Sequence, residues 1–188
     1  MAETNVHLSI EPCGITQAEG WPDALPAFEA EMSRQLGGKL PAACGEVASI
    51  GRWRALRVAP RRFWLVSGDG SKPQVSIDPE LGCLVSLDES RMLMRLSGPH
   101  SFDILSACVA IDWQAPEAAL GRAVQTAFHH VPVLLLRTAA DACDLLVPRS
   151  FAQSLAEWLA EVAAPYEPRP RERRRHDVRN LQLEPPTG

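Results

Sequence analysis

The stretch Arg95 to Trp113, RLSGPHSFDILSACVAIDW, gathers a histidine, serines, two aspartates and a cysteine within twenty residues. A cysteine beside a histidine would supply a thiolate nucleophile and its base, with a carboxylate to orient the imidazole. Spacing argues against it, because eight helical positions put His100 and Cys108 about 12 Å apart along the axis. His100 and Ser101 instead suit the first turn of a helix, where polar side chains meet free amides, and Asp103 suits the positive end of the dipole. Cys108 then falls on the stripe that faces the core. His129 and His130, read as neighbours on a strand, point to opposite faces and cannot chelate one metal together. GDGSK, residues 68–72, lacks the spacing of a phosphate loop and joins two strands rather than a strand to a helix. No G-x-S-x-G, H-E-x-x-H or G-x-G-x-x-G occurs in the sequence, so no catalytic constellation is written locally.

The elements that would position these residues follow from periodicity. Leu25, Phe28, Met32 and Leu36 recur at helical spacing, Asp23 can accept from amides at the start, and Gly37-Gly38 offers a left-handed exit. Short β-branched and aromatic runs around the turn cluster SGDGSKP predict antiparallel strands near 47–58, 61–67 and 73–78. In SRMLMRLSG, Met92, Met94 and Leu96 share one strand face, while Arg91, Leu93 and Arg95 share the other. Gly98 and Pro99 end that strand, and a helix over about 99–110 buries Phe102, Leu105, Cys108 and Val109. Strands follow near 122–128, through VPVLLLRT and through CDLLV; the second is apolar on both faces and reads as a central strand. A last helix carries a Ser150–Gln153 capping-box pattern and a stripe of Phe151, Leu155, Trp158, Leu159 and Val162. LSGPHSF and LLVPRSF repeat Leu-x-x-Pro-x-Ser-Phe 49 residues apart at two strand-to-helix junctions. Duplication and shared turn physics both account for that repeat.

This layout predicts an α+β fold with antiparallel-rich sheets and a split β-α-β unit whose helices lie on one side. Three segments are expected: 1–46 with one helix; an α+β domain over 47–163, strands 47–90 followed by a βαβββα unit over 91–163; and a Pro/Arg-rich tail, 164–188.

At 188 residues with 46% hydrophobic content, the chain can bury a sizeable core. Its net charge of −4 leaves no overall electrostatic footprint for nucleic acid or an anionic membrane. No apolar run approaches the ~18 residues of a membrane span, and the amino terminus does not read as a secretory leader, so a cytoplasmic protein is expected. The five cysteines are odd in number and far apart, which predicts reduced and mostly buried thiols. From Pro165 to Gly188, six arginines face four acids, with Arg173, Arg174 and Arg175 consecutive. Such a tail reads as a solvated terminus or as an arm that lies across an acidic partner; RNA binding is weaker, for want of interleaved aromatics.

The succession LRVAPRRFWLV, LDESRMLMRLSGPHSFDIL, AIDW, GRAVQTAFHHVPVLLLR and DLLVPRSFAQSLAEWL resembles the gamma subunit of heterotetrameric sarcosine oxidase, across roughly Val47 to Val162. That family is similar in turn to the folate-binding domain of the glycine-cleavage T-protein. The resemblance implies an α+β fold with a ferredoxin-like βαββ(β)α unit, as in T-protein/TrmE-type folate-binding domains. It implies alpha, beta and delta partner subunits that hold FAD, FMN, NAD, tetrahydrofolate and zinc. That assembly demethylates sarcosine, or a related N-methyl amino acid, and passes the one-carbon unit to folate. The gamma chain is implied to be structural, with no catalytic, cofactor or metal residues of its own.

Three functions are therefore weighed. An assembly subunit would use the half-polar face bearing Arg91 and Arg95, together with Arg173, Arg174 and Arg175, against its partners, although that face also suits plain solvent exposure. The equivalent subunit of an N-methylglutamate dehydrogenase-type complex reads the same way. A folate-dependent aminomethyltransferase-like enzyme would need its own deep pocket, with Asp103 and Asp112 the nearby carboxylates. A free-standing module would bind nucleic acid through the tail, with salt-dependent affinity.

Overall fold

A computed structural model describes residues 6–166. The chain begins by joining both of its sheets. β1 (His7–Pro12) and β2 (Gly14–Gly20) are separated only by Cys13, yet β1 pairs with β7 (Arg91–Ser97), whereas β2 lies between β5 (Arg62–Ser67) and β6 (Gly82–Ser86). Neither strand was expected from the sequence. Ile15 and Ala18 are buried on opposite faces of β2, so the strand has no single apolar stripe to announce it.

The remaining strands are β3 (Val47–Ile50), β4 (Trp53–Ala59), β8 (Ala123–Phe128), β9 (Val131–Ala139) and β10 (Ala142–Pro148). The first sheet runs β1-β7-β10-β9-β8 and the second β3-β4-β5-β2-β6, with every pairing antiparallel. Three α-helices accompany the sheets among the described residues: α1 (Leu25–Leu36), α2 (Ser101–Cys108) and α3 (Ala152–Ala163). The predicted α+β succession of strand, helix, three strands and helix is present from β7 to α3.

Three apolar clusters define the layers. Phe28 and Met32 of α1 pack on Ala18, Ala55, Phe63 and Leu65 of the second sheet. Leu56, Trp64 and Val66 of that sheet meet Leu93, Leu134 and Leu146 of the first. Met94, Leu96, Leu135 and Leu145 of the first sheet then meet Leu105 of α2 and Leu155 and Leu159 of α3. The order is α1, second sheet, first sheet, α2 with α3. β9 is accordingly covered on both faces, as its unbroken apolar run requires.

Close approach of α1 depends on two glycines. Gly20 and Gly82 pair across β2 and β6, and a Cβ on either would come within 2.9 Å of the Phe28 ring. Without side chains there, the ring rests on bare backbone.

The structure corrects several sequence expectations. Residues 73–78 form no sheet strand. Val75 and Ile77 pack against the α1 cluster, and the Gln35 side chain bonds Ser76 at both ends: Ser76 N donates to Oε1 at 3.0 Å and Nε2 donates to Ser76 O at 2.7 Å. A helix side chain thus takes the place of a neighbouring strand, and β6 supplies the ladder instead. The single strand expected over 47–58 is a hairpin, with Gly51 at φ 59° in its turn. None of the described α-helices has a side-chain cap: Asp23 lies in a 3-10 turn before α1, and Gln153 bonds Glu157 at 2.9 Å rather than closing a box with Ser150. The left-handed exit is as expected, with Gly37 at φ 73°. On α3 the fully buried residues are Ala152, Leu155, Leu159 and Ala163, while Phe151 stays 41% exposed.

Candidate functional site

The polar residues of 95–113 serve the backbone. Ser101 Oγ donates to Gly98 O at 2.8 Å and Ser106 Oγ to Phe102 O at 2.6 Å. His100 Nδ1 lies 3.1 Å from Asp103 Oδ2, one turn along, and Asp112 Oδ1 accepts from Gln114 N at 2.9 Å. Burial pushes the Cys108 thiol upward, the wrong direction for a thiolate nucleophile. No nucleophile meets a base here. The expected amide contacts of His100 and Ser101 are absent, since the Ser101 hydroxyl turns back to a carbonyl instead.

His129 and His130 are not strand residues but the two-residue turn of the β8–β9 hairpin, with His129 at φ 51°. Their rings cluster on Trp158 of α3, at centroid distances of 4.8 and 6.5 Å. Packing holds them. Among the described residues, no three of His, Cys, Asp and Glu come together as a metal site, and no helix is long and apolar enough to cross a membrane.

The strongest electrostatic feature lies between the sheets, at a residue the sequence reading passed over. Asp144 on β10 is 2% exposed; its Oδ1 accepts from Arg95 Nε at 2.9 Å and its Oδ2 from Arg54 Nη1 at 2.6 Å. Arg95 stands directly opposite Asp144 in the β7–β10 ladder, while Arg54 arrives from β4 of the second sheet. The carboxylate raises the Arg95 pKa by hydrogen bonding. With each oxygen held by a guanidinium, Asp144 is placed as an ionic tie between layers rather than as a proton acceptor. A lone aspartate inside CDLLV was the available signal, because a buried charge needs a partner.

The half-polar face of β7 therefore looks toward the second sheet, with Arg95 at its solvent-exposed margin. Arg91 lies over the Trp64 ring, 5.4 Å from its centroid, and burial lowers its pKa. Trp64 Nε1 in turn donates to Gln17 Oε1 at 3.1 Å. Arg91 and Arg95 thus both have intramolecular partners, although the Arg95 side chain remains 44% exposed. Arg173, Arg174 and Arg175 lie outside the described residues.

A cleft of about 230 Å³ opens where β4 approaches β8, lined in part by Cys44, Arg57, Glu117, Arg122 and Gln125. Several of its polar groups are already engaged. Arg57 Nη1 pairs with Glu29 at 3.0 Å, Arg122 Nη2 donates to Cys44 O at 3.2 Å, and Gln125 Nε2 donates to Val58 O at 2.5 Å. The volume is below the ~300 Å³ at which ligand pockets begin, and the larger hollows, of about 320, 420 and 600 Å³, are open surface depressions beside α1 and residues 39–48 that neither Asp103 nor Asp112 lines. Asp103 and Asp112, the carboxylates an aminomethyl-transfer site would have used, line neither this cleft nor the inter-sheet tie.

Comparison with known proteins places this architecture. The sequence profile described as "Sarcosine oxidase, gamma subunit family" matches residues 21–165. The sarcosine oxidase subunit gamma of Corynebacterium sp. (strain U-96) is 28% identical over 142 residues, covering 73% of this chain and 69% of that one. The Arthrobacter sp. subunit gamma is 28% identical over 140 residues, covering 72% and 69%. A chain in the structure of heterotetrameric sarcosine oxidase from Corynebacterium sp. U-96, in complex with pyrrole 2-carboxylate, superposes with TM-score 0.76 at 25% identity, covering 88% of this chain and 87% of that one. Aminomethyltransferase T of the Bartonella henselae glycine cleavage system shares the fold, with TM-score 0.55 and 17% identity over 84% of this chain and 46% of its own. The profile runs from Trp21 to Pro165 and takes in the three described α-helices and every strand from β3 to β10, leaving only β1 and β2 before it, and so the chain belongs to the sarcosine oxidase gamma subunit family.

Proposed function

We propose that this chain is the gamma-type assembly subunit of a heterotetrameric sarcosine oxidase-type complex, and that it supplies structure rather than reacting groups. The observation that carries this reading is the likeness, over 88% of the chain, to a chain of the Corynebacterium sp. U-96 heterotetramer. The character of the polar residues supports it. The most buried carboxylate among the described residues is held by two arginines, Ser101 and Ser106 bond backbone carbonyls, and His100, His129 and His130 pack on aromatic rings.

In this reading the alpha, beta and delta partners carry the chemistry: FAD, FMN, NAD, tetrahydrofolate and zinc lie in those chains, where sarcosine or a related N-methyl amino acid is demethylated. The complex works in the cytoplasm. The exposed half of Arg95 and the run Arg173–Arg175 contribute cationic contacts to the partners.

The test is co-expression. The chain alone is expected to be colourless and inactive, whereas the chain produced with its large partner subunits is expected to co-purify in fixed stoichiometry as a flavin-coloured complex. Sarcosine oxidation by the purified single chain would overturn the reading.

A further inference from the structure

One corner of the first sheet carries a cation that none of the described carboxylates pairs with. The Arg137 guanidinium carbon on β9 lies 4.5 Å from the centroid of the Phe102 ring, and its Nη1 makes one long bond, 3.3 Å, to Trp113 O. No carboxylate among the described residues forms an ion pair with it. Its Nε is enclosed without an acceptor, and so is the indole Nε1 of Trp113, which packs edge-on against Phe102 at 4.8 Å. Native structures leave few such donors unmet, and here two share one small cluster. Arg122, in the loop just before β8, brings no carboxylate to Arg137: its carbonyl accepts from Arg137 N at 3.4 Å, its own Nε also lacks an acceptor, and its Nη1 is paired with Glu46 at 3.7 Å.

Beside this cluster, Leu120 is 63% exposed in the loop that leads into β8. That loop is pinned, because Gly121 N donates to Arg137 O at 2.9 Å. An exposed apolar side chain on a loop bonded to the backbone of Arg137, whose guanidinium lies on partly buried aromatic rings with no described counter-ion, has the make-up of an interface core. In a chain of net charge −4, a half-buried arginine that no described carboxylate pairs with is suited to an acidic group from another chain.

We propose that this corner, with Leu120 and Arg137 at its centre and Trp113 and Phe102 behind them, is a docking surface for a large partner subunit. That partner brings an acidic side chain to Arg137 and an apolar depression to Leu120. The inference rests on the assembly reading above and adds to it where the contact is made.

The experiment measures assembly of the full chain with co-expressed large subunits. Leu120→Asp is expected to weaken assembly at least tenfold, and Arg137→Gln to weaken it and flatten its dependence on salt. Val85→Asp, an exposed change on β6 of the other sheet, is expected to leave assembly unchanged. Circular dichroism and thermal melting check that each variant folds. Hydrogen exchange of the wild-type chain gives a readout free of mutations, with slowing expected across residues 119–123 on assembly. If the wild-type chain assembles while Leu120→Asp assembles equally well and 119–123 gains no protection, the docking surface is overturned and the assembly reading stands. If the wild-type chain does not assemble, the assembly reading itself falls. If Leu120→Asp abolishes only self-association of the isolated chain, the corner binds a second copy, and the proposal is overturned.

Discussion

Arg95 and Asp144 stand directly opposite one another in the β7–β10 ladder, and their 2.9 Å bond is completed from the second sheet by Arg54 at 2.6 Å. The three residues tie the sheets together at a point where the surrounding inter-sheet packing is apolar, with Leu93 and Leu146 as neighbours in sequence register.

Removing the carboxylate leaves two guanidinium groups facing each other between layers. Asp144→Ala is expected to destabilise the fold by about 3 kcal/mol, the lower end for breaking a buried pair, because both arginines are partly exposed. Urea unfolding reads this as a lower midpoint. Adding Arg54→Met and Arg95→Met to an Asp144→Leu variant is expected to recover most of the loss, since an apolar set removes the unpaired charge.

Stability is expected to fall on the alkaline side. Burial raises the Cys13 thiol from 9.0 to about 11 and the Cys143 thiol to about 12. Above pH 9 the unfolded chain releases these protons while the folded chain keeps them, so folding is opposed increasingly until the folded thiols titrate. Below pH 9 both states hold the protons and the two thiols add no pH dependence. Denaturation midpoints measured from pH 8 to 11 should slope downward, less steeply in Cys143→Ala.

Thiol accessibility is graded by the fold. Cys44 is exposed, Cys83 is intermediate, and Cys13, Cys108 and Cys143 are buried. A thiol reagent added to the native chain is expected to give one fast modification at Cys44, a slower one at Cys83, and the other three only on unfolding. Peptide mapping checks the order.

The seat of Phe28 tolerates no added methyl. In Gly82→Ala the new Cβ would lie 2.3 Å from Glu19 O and 2.8 Å from the Phe28 ring. A cost at the upper end of the ~1–3 kcal/mol of overpacking is expected, because the nearer atom is backbone and cannot rotate away. Phe28→Leu should relieve only the part due to the ring, and a thermal melt of the double variant separates the two.

Removing residues 167–188 is expected to weaken assembly with partner subunits and to reduce its salt dependence, if Arg173–Arg175 contribute cationic contacts. Titration of assembly against salt for the full and shortened chains checks this. Equal slopes would remove the tail from the interface.

Much of the second half was legible because its signals are local. β9 announces itself through VPVLLLRT, and Gly98-Pro99 separates β7 from α2 by backbone chemistry alone. The first half was less legible, since its pairings are remote: β2 and β5 are neighbours though Gly14 and Ser67 lie far apart in the chain. Segment 73–78 shows the same limit. Its alternation of Val75 and Ile77 is a true burial signal, but it cannot say that Gln35 of a helix would be the hydrogen-bonding partner.

By itself the sequence determined α1, the succession from β7 to α3 with most of its apolar faces, and the absence of the common local catalytic motifs, because these depend on periods of two and 3.6 residues and on turn chemistry within a few positions. Only the tertiary structure decided that Arg91 and Arg95 look onto a second sheet, that Asp144 is tied by two arginines, and that Arg137 has no counter-ion among the described residues. Charge pairing acts over a few ångströms of space, and the chain brings such neighbours together from positions up to 90 residues apart.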